Sequence, residues 1–261
     1  MTKALLIDIK RCIGCRSCQV ACKRWYGLPG EKTSLSPSWT NPPTMTAYTW
    51  SRVRFVELDG ENGDFKWRFV KEQCMHCLDP ACASACFVGA LHKTEEGPVD
   101  YDYTRCVGCR YCMIACPFGV PKLQWDRSRP YIQKCVMCVE RIREGMKPAC
   151  ASACPTGAIM FGEREELLKE ARKRIAQGGY VNHIYGEKEA GGTSVLYISD
   201  VPFEKLGFPK VSEQPYPKLT AASLEKIPFV VPALAAGLVA LWFYSERREK
   251  IQALKEKGGG K

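Results

Sequence analysis

Histidine is scarce in this chain: 261 residues include three, His76, His92 and His183. No convincing nucleophile–base set surrounds them, so nucleophilic catalysis has no visible machinery. Gly-x-Gly-x-x-Gly and the P-loop are both absent, and with them the nucleotide and flavin sites those motifs build. Cys-x2-Cys-His is absent too, which removes covalent haem. The opening residues, MTKALLIDIKRCIGC, contain no long apolar stretch, no small-residue cleavage site and no paired arginines, so no export signal is expected on this chain. The composition, 46% apolar and 25% charged, excludes disorder and collagen-like repeats. The length suits one or two domains with a real hydrophobic core.

Cysteine is what the chain has in excess: sixteen residues in four blocks. The first reads Cys12-x2-Cys15-x2-Cys18-x3-Cys22. The second is Cys74-x2-Cys77-x4-Cys82-x3-Cys86. The third repeats the first as Cys106-x2-Cys109-x2-Cys112-x3-Cys116, with Pro117 next. The fourth is Cys135-x2-Cys138-x11-Cys150-x3-Cys154, with Pro155 next. Three cysteines two residues apart curl a loop around one iron–sulfur cube, with backbone N–H groups aimed at its sulfides. A fourth, carried off on the following helix, reaches a different cluster, so clusters come in pairs. Zinc sites typically show two Cys-x2-Cys pairs, and four cysteines within eleven residues are unusual for them. Disulfides would strain at these spacings, and a chain of this size does not need them as staples. His76, inside Cys74-Met75-His76-Cys77, is read as a packed or hydrogen-bonded neighbour; tuning of one potential or a proton-coupled step is the alternative.

Basic residues number 38 and acidic ones 28, a net charge of +10. One reading is a zinc-binding module that docks nucleic acid. The other is neutralisation: four oxidised [4Fe–4S] sites carry roughly −2 each and offset about eight of those charges. Arg16, Lys23, Arg24, Arg105, Arg110 and Lys134 sit beside cysteines, which favours the second reading and no nucleic-acid partner.

Residues 4–9 read as a strand running into the first cysteines, and residues 27–49 as a Pro-, Thr- and Trp-rich loop. Residues 48–58 and 65–70 predict a hairpin closed by Asp59-Gly60-Glu61-Asn62-Gly63-Asp64. Residues 163–177 predict one good helix. Glu163, Glu165 and Glu166 open it, Arg172, Lys173 and Arg174 close it, and Gly178-Gly179 stops it. Leu167, Leu168, Ala171 and Ile175 form its buried face. Residues 194–199 predict a strand, and residues 201–219, with four prolines, an extended linker.

Residues 227–245, IPFVVPALAAGLVALWFYS, carry no charge. Their number is close to the roughly 20 that span a bilayer. Trp242 and Tyr244 stand where aromatics settle among headgroups; Lys226 precedes the segment, and Arg247, Arg248 and Lys250 follow it. Pro228 falls harmlessly in the first turn, and Pro232 is placed to kink the span. A buried core helix is the alternative, although such helices are seldom uncharged for so long. By the positive-inside tendency, the basic tail faces the cytoplasm and the cysteine domain faces outward. The span has no histidine with which to ligate a haem b.

These blocks resemble the four-cluster ferredoxin-like β (electron-transfer) subunits of membrane-bound respiratory oxidoreductases, over nearly the whole chain. CIGCRSCQVACKRWYGLPGEKT, NPP and SRVRF are similar to formate dehydrogenase β subunits. CVGCRYCMIACPFGVPK, FGEREELLKEARKRIA and YGEKEAGGTSVLYISDVPFEKL are similar to the iron–sulfur subunit of uptake [NiFe]-hydrogenases. The resemblance implies an α+β fold of two nested, pseudo-symmetric bicluster halves plus one C-terminal transmembrane helix. Residues 1–200 would form the cluster domain, with an inner half at about 69–128 nested in the outer one. Residues 201–225 would be a linker, 226–246 the transmembrane helix and 247–261 a basic tail. Four [4Fe–4S] clusters are implied, with exchanged ligands: Cys12, Cys15, Cys18 and Cys154 for cluster 1; Cys22, Cys135, Cys138 and Cys150 for cluster 2; Cys74, Cys77, Cys82 and Cys116 for cluster 3; and Cys86, Cys106, Cys109 and Cys112 for cluster 4.

Such a subunit makes no bond itself. It relays electrons between a catalytic subunit (molybdenum- or tungsten-pterin, or [NiFe]) and an integral membrane cytochrome b or quinone-binding subunit. Its place is the prokaryotic cytoplasmic membrane, crossed once, with the cluster domain on the periplasmic face. The formate dehydrogenase type is favoured, because hydrogenase relatives commonly carry their own twin-arginine leader; the C-terminal half argues the other way. Two departures stand out: Lys23 follows Cys22 and Phe87 follows Cys86, where ferredoxin motifs often have proline.

Overall fold

The computed structural model describes residues 2–35, 38–59 and 65–258. The chain divides into two units, Met1–Pro217 and Lys218–Lys261. The first is built around a three-stranded sheet in the order β8-β1-β9, with β1 at Lys3–Asp8, β8 at Ile159–Glu163 and β9 at Val195–Ile198. β1 runs antiparallel to β8, with Leu5 opposite Phe161, and parallel to β9, with Leu6 opposite Leu196. Its central place explains its unbroken apolar run, since both faces are covered. Side chains alternate across the strand. Ala4 and Leu6 meet Leu167, Leu168 and Ala171 of α6 (Arg164–Ala176). Leu5 and Ile7 point the other way, into a core that contains Cys18, Cys150, Met137 and Tyr197. One strand therefore joins an ordinary aliphatic layer to the cysteine layer.

The cysteine layer is made of short pieces. In chain order these are α1 (Ser17–Tyr26), α2 (Ala81–Ser84), α3 (Tyr111–Ala115), α4 (Val139–Arg143) and α5 (Ala149–Ser152). Two small ladders accompany them: β4 (Leu91–Lys93) with β5 (Val99–Tyr101), and β6 (Lys122–Leu123) with β7 (Ile132–Gln133). The longer hairpin is β2 (Arg52–Asp59) with β3 (Phe65–Glu72), in register from Arg52 opposite Glu72 to Asp59 opposite Phe65. It starts later than the expected residue 48, and the expected turn residues 60–64 lie outside the described residues.

The helix expected at 163–177 is α6, with Leu167, Leu168 and Ala171 buried and Ile175 packed at their edge. Arg174, expected only to complement the helix dipole, is buried as well. Its Nη1 donates to Asp8 Oδ2 at 2.8 Å, and Asp8 is fully buried. The Tyr180 hydroxyl donates to the same oxygen at 2.9 Å, and the Arg11 N–H donates to Asp8 Oδ1 at 3.2 Å.

Residues 201–219 are not a free linker. Val201, Phe203 and Leu206 are buried core residues, and Phe208 packs beside them. The Phe208 ring lies 4.7 Å from Tyr185 and 5.1 Å from Tyr197, and the Tyr185 hydroxyl donates to Pro209 O at 2.8 Å. The prolines suggested an unpacked segment, but fixing φ does not prevent burial. From Tyr216 the chain is helical: α7 covers Tyr216–Leu224 and α8 covers Ile227–Gly258. The expected basic tail thus continues the helix as far as Gly258. In the second unit a helix over Tyr216–Gln252, with mean hydropathy 2.0 in its most apolar window, is long and apolar enough to cross a membrane.

Candidate metal centres

Blocks one and three use the same local device. Gly14 and Arg16 have φ of 69° and 60°; Gly108 and Arg110 both have φ of 68°. These left-handed residues turn the Cys-x-Gly-Cys-Arg segment back on itself before α1 and α3 begin. Cys18 and Cys22 then sit one helical turn apart on α1. The Arg16 guanidinium lies 4.5 Å from the Phe55 ring and that of Arg110 lies 5.5 Å from Trp125, so each is held by an aromatic face. Blocks two and four share a different device, unnoticed in the spacings: residues 80–86 and 148–154 are the same heptapeptide, PACASAC. Each folds as proline, one short helix (α2 or α5) and a closing cysteine.

The two glycines have unequal surroundings. A Cβ on Gly14 would stand 2.7 Å from the Phe69 ring, whereas one on Gly108 would meet only Pro130 O, at 3.3 Å. Gly108→Ala should therefore cost about 1–2 kcal/mol, the strain of the left-handed backbone alone. Gly14→Ala should cost about 1 kcal/mol more, because a packed ring must move. Thermal unfolding of the two cluster-loaded variants measures the difference; equal losses would show that Phe69 yields freely.

None of the sixteen cysteines is in a disulfide, and they are distributed between the core and the surface. One cavity is walled by Cys12, Cys15, Cys18 and Cys154 together with Ile7, Ile13, Val53, Ile159 and Lys71. A second is walled by Cys86, Cys106, Cys109 and Cys112, with Val88, Leu91, Tyr101 and Ile132 behind them. Among the described residues, no three His, Cys, Asp or Glu side chains converge tightly enough to hold a single ion. A zinc would draw its sulfurs to about 2.3 Å from one point. Spread sulfurs around an apolar cavity fit a larger polynuclear core instead.

The remaining cysteines meet through their electrostatics. Burial pushes the Cys22 thiol up to about 12, and Cys150 and Cys138 push the same way. Burial raises Cys77, with Cys74, Cys116 and Cys82 adding to it. The groups also meet in shared hydrophobic cores, Cys18 with Cys150, Cys135 with Cys74, and Cys82 with Cys112. Thiols this deeply desolvated stay protonated until a metal replaces the proton, so iron loading must release protons.

Three lysines stand among them. Lys71 is 1% exposed and Lys134 is 2% exposed. Lys134 Nζ donates to Val99 O and Cys135 O, at 2.5 and 3.1 Å. Lys93, lowered to about 8 by burial, donates to Cys77 O at 2.8 Å. Burial also lowers Lys71, but the thiols of Cys150, Cys18, Cys135 and Cys22 outweigh it and raise the lysine above its ordinary value. His76 is fully buried and held well below the ordinary histidine value by burial and by Lys134, Lys93 and Lys71. Its Nδ1 accepts from the Val99 N–H at 2.9 Å, so Nε2 carries the proton of the neutral ring. It is a hydrogen-bonded neighbour of the cysteines. Lys71 was invisible in the sequence, where it is one more charge in an amphipathic strand.

Two matches define the class. Residues 65–164 and residues 11–90 each match a 4Fe-4S dicluster domain family. The protein is an iron–sulfur protein with sixteen cysteines for four [4Fe–4S] clusters, which sets aside the zinc alternative. The chain is 40% identical, over 91% of its length and 81% of the relative, to the nitrate-inducible formate dehydrogenase iron–sulfur subunit of Escherichia coli K12. It is 37% identical to the Hydrogenase-2 operon protein HybA of Escherichia coli O157:H7, over 80% of this chain and 73% of HybA. A protein of Nitratidesulfovibrio vulgaris is 43% identical over 95% of this chain and 68% of its own. The chain belongs to the family of iron–sulfur electron-transfer subunits that includes these formate dehydrogenase and HybA proteins, and its role is electron relay.

Proposed function

We propose that this protein is the non-catalytic relay subunit of a membrane-bound respiratory oxidoreductase, with a formate dehydrogenase-type catalytic partner. The observation that carries the reading is that cysteines of successive groups share hydrophobic cores, Cys18 with Cys150, Cys135 with Cys74, and Cys82 with Cys112. It supports a single file of clusters held by Cys12, Cys15, Cys18 and Cys154; by Cys22, Cys135, Cys138 and Cys150; by Cys74, Cys77, Cys82 and Cys116; and by Cys86, Cys106, Cys109 and Cys112. The clusters supply one-electron redox capacity. The chain supplies spacing, apolar insulation and local charge, which set the potentials. Every ligand position is cysteine, leaving no iron open to a substrate. The shared PACASAC segments and the paired Cys-x-Gly-Cys-Arg turns support two nested bicluster halves.

The second reading, a [NiFe]-hydrogenase partner, is favoured by the likeness to HybA. In either case the apolar helix is read as a single span at 226–246. Its lack of histidine calls for a separate cytochrome b or quinone-binding membrane subunit. Arg247, Arg248 and Lys250 support an orientation with the C-terminal end in the cytoplasm and the clusters outside. Protein isolated anaerobically from membranes should hold about sixteen iron and sixteen labile sulfides per chain and co-purify with both partners; about half that iron would overturn the four-cluster file. Protease added to spheroplasts should reach the cysteine domain and spare the tail, and the opposite pattern would reverse the orientation.

A further inference from the structure

Lys71 is a buried cation without a carboxylate. It lies on β3, and among the described residues it forms no ion pair. Glu72, its neighbour in sequence, is taken by Arg52 and Arg54, whose Nε atoms lie 2.6 and 2.7 Å from its two oxygens. A strand alternates its side chains, so Glu72 and Lys71 face opposite ways. Among the described residues, the one hydrogen bond from Lys71 Nζ goes to Gln73 Oε1. Two of its three N–H donors remain for other acceptors, and Gln73 Nε2 is itself buried without a partner. An isolated ammonium so deeply buried is costly, and evolution of a fold around it requires compensating negative charge nearby.

The compensating groups are sulfur. Lys71 forms part of the wall of the cavity lined by Cys12, Cys15, Cys18 and Cys154. Cys18 of that wall shares a hydrophobic core with Cys150 and stands one turn of α1 from Cys22, so the adjacent ligand set begins beside the same ammonium, whose field reaches Cys22 and Cys150. One fixed positive charge is therefore shared by two ligand sets. Lys93 and Lys134 stand at the third ligand set, beside Cys77 and Cys82, and no lysine is among the principal groups acting on Cys112, whose neighbours are Cys106, Cys86 and Cys109.

We propose that Lys71 is a charge bridge between the first two clusters, raising the reduction potential of both. The inference rests on the ligand sets proposed above. Reduction adds one negative charge to a cluster, and a nearby ammonium stabilises the reduced form more than the oxidised one. The two free N–H donors act in the same direction when they hydrogen-bond to cluster or cysteine sulfur. Lys71 is a positioning residue for charge and touches no substrate.

The test uses the full chain, isolated anaerobically with its clusters and titrated potentiometrically under low-temperature EPR. Lys71→Met and Lys71→Gln should each move two of the four midpoint potentials to more negative values and leave the other two in place. Iron and sulfide should stay at about sixteen per chain. Unmoved midpoints in a fully loaded variant, or an equal shift of all four, overturn the bridge while leaving the ligand sets standing. The ligand sets fail separately, through the iron count of the unaltered protein. Where neither neutral variant loads, the charge-retaining Lys71→Arg decides. Loading with unshifted midpoints supports the bridge; failure to load overturns it in favour of a purely steric role.

Discussion

Stripping the iron from this protein should unfold residues 74–134 while the β8-β1-β9 sheet and α6 keep their protection against amide exchange. The two regions are built differently. Around the sheet, Ala4, Leu6, Leu167, Leu168, Ala171, Ile184, Leu196 and Ile198 form an aliphatic core that owes nothing to metal. The core of the inner region is Leu91, Val99, Leu123 and Ile132 with Cys82 and Cys112, and its ladders are two or three residue pairs long. Isolated two-stranded ladders are marginal at best. Structural metal at a thiolate site contributes about 10–16 kcal/mol in zinc fingers, as much as the whole stability of an ordinary domain. Without iron, buried thiols would face one another across cavities with no partner atoms. Exchange measured by mass spectrometry after anaerobic chelation should show residues 74–134 at the unprotected limit, with an opening free energy near zero. Retained protection there would mean that the clusters are passengers in a preformed fold.

That division follows how much of the molecule could be seen in its sequence. The cysteine spacing carries the site because it is local: Cys12 to Cys22 and Cys106 to Cys116 each form one turn and the start of one helix. β1, β9 and α6 were legible for the same reason, since short apolar runs and period-3.6 patterns act over a few residues. What escaped was tertiary. Phe203, Leu206 and Phe208 looked like linker because proline surrounds them, yet their destination is an aromatic group with Tyr185 and Tyr197 far back in the fold. Lys71 and Arg174 looked like solvated charges on amphipathic elements. Only the assembled structure shows that each faces inward, Lys71 toward thiols and Arg174 toward Asp8. A charge pattern fixes which residues are ionic but not whether a distant partner waits beneath them.

Arg174 gives that distinction its sharpest consequence. Arg174→Met should destabilise the cluster-loaded protein by about 3–5 kcal/mol, the usual cost of leaving one member of a buried ion pair alone. Asp8 is fully buried on the central strand and loses a charged donor at 2.8 Å, keeping the Tyr180 hydroxyl, the Arg11 N–H and the exposed Arg11 guanidinium, which at 3.8 Å is too distant to replace the lost hydrogen bond. Glu170, which also binds Arg174 at 2.8 Å, is more exposed and can turn to water, so the penalty falls on Asp8. Adding Asp8→Asn should recover most of the loss, because the amide oxygen still accepts from the Arg11 N–H, its NH2 donates to the Tyr180 hydroxyl, and no charge is left stranded. Unfolding here also expels iron and is irreversible, so the comparison is of midpoints at one scan rate. The single variant should melt roughly 10 °C lower and the double variant close to the unaltered protein. A single variant that melts normally would mean that water reaches Asp8 when the guanidinium leaves. A double variant no better than the single would locate the loss in the methylene contacts of Arg174 on α6 and not in its charge.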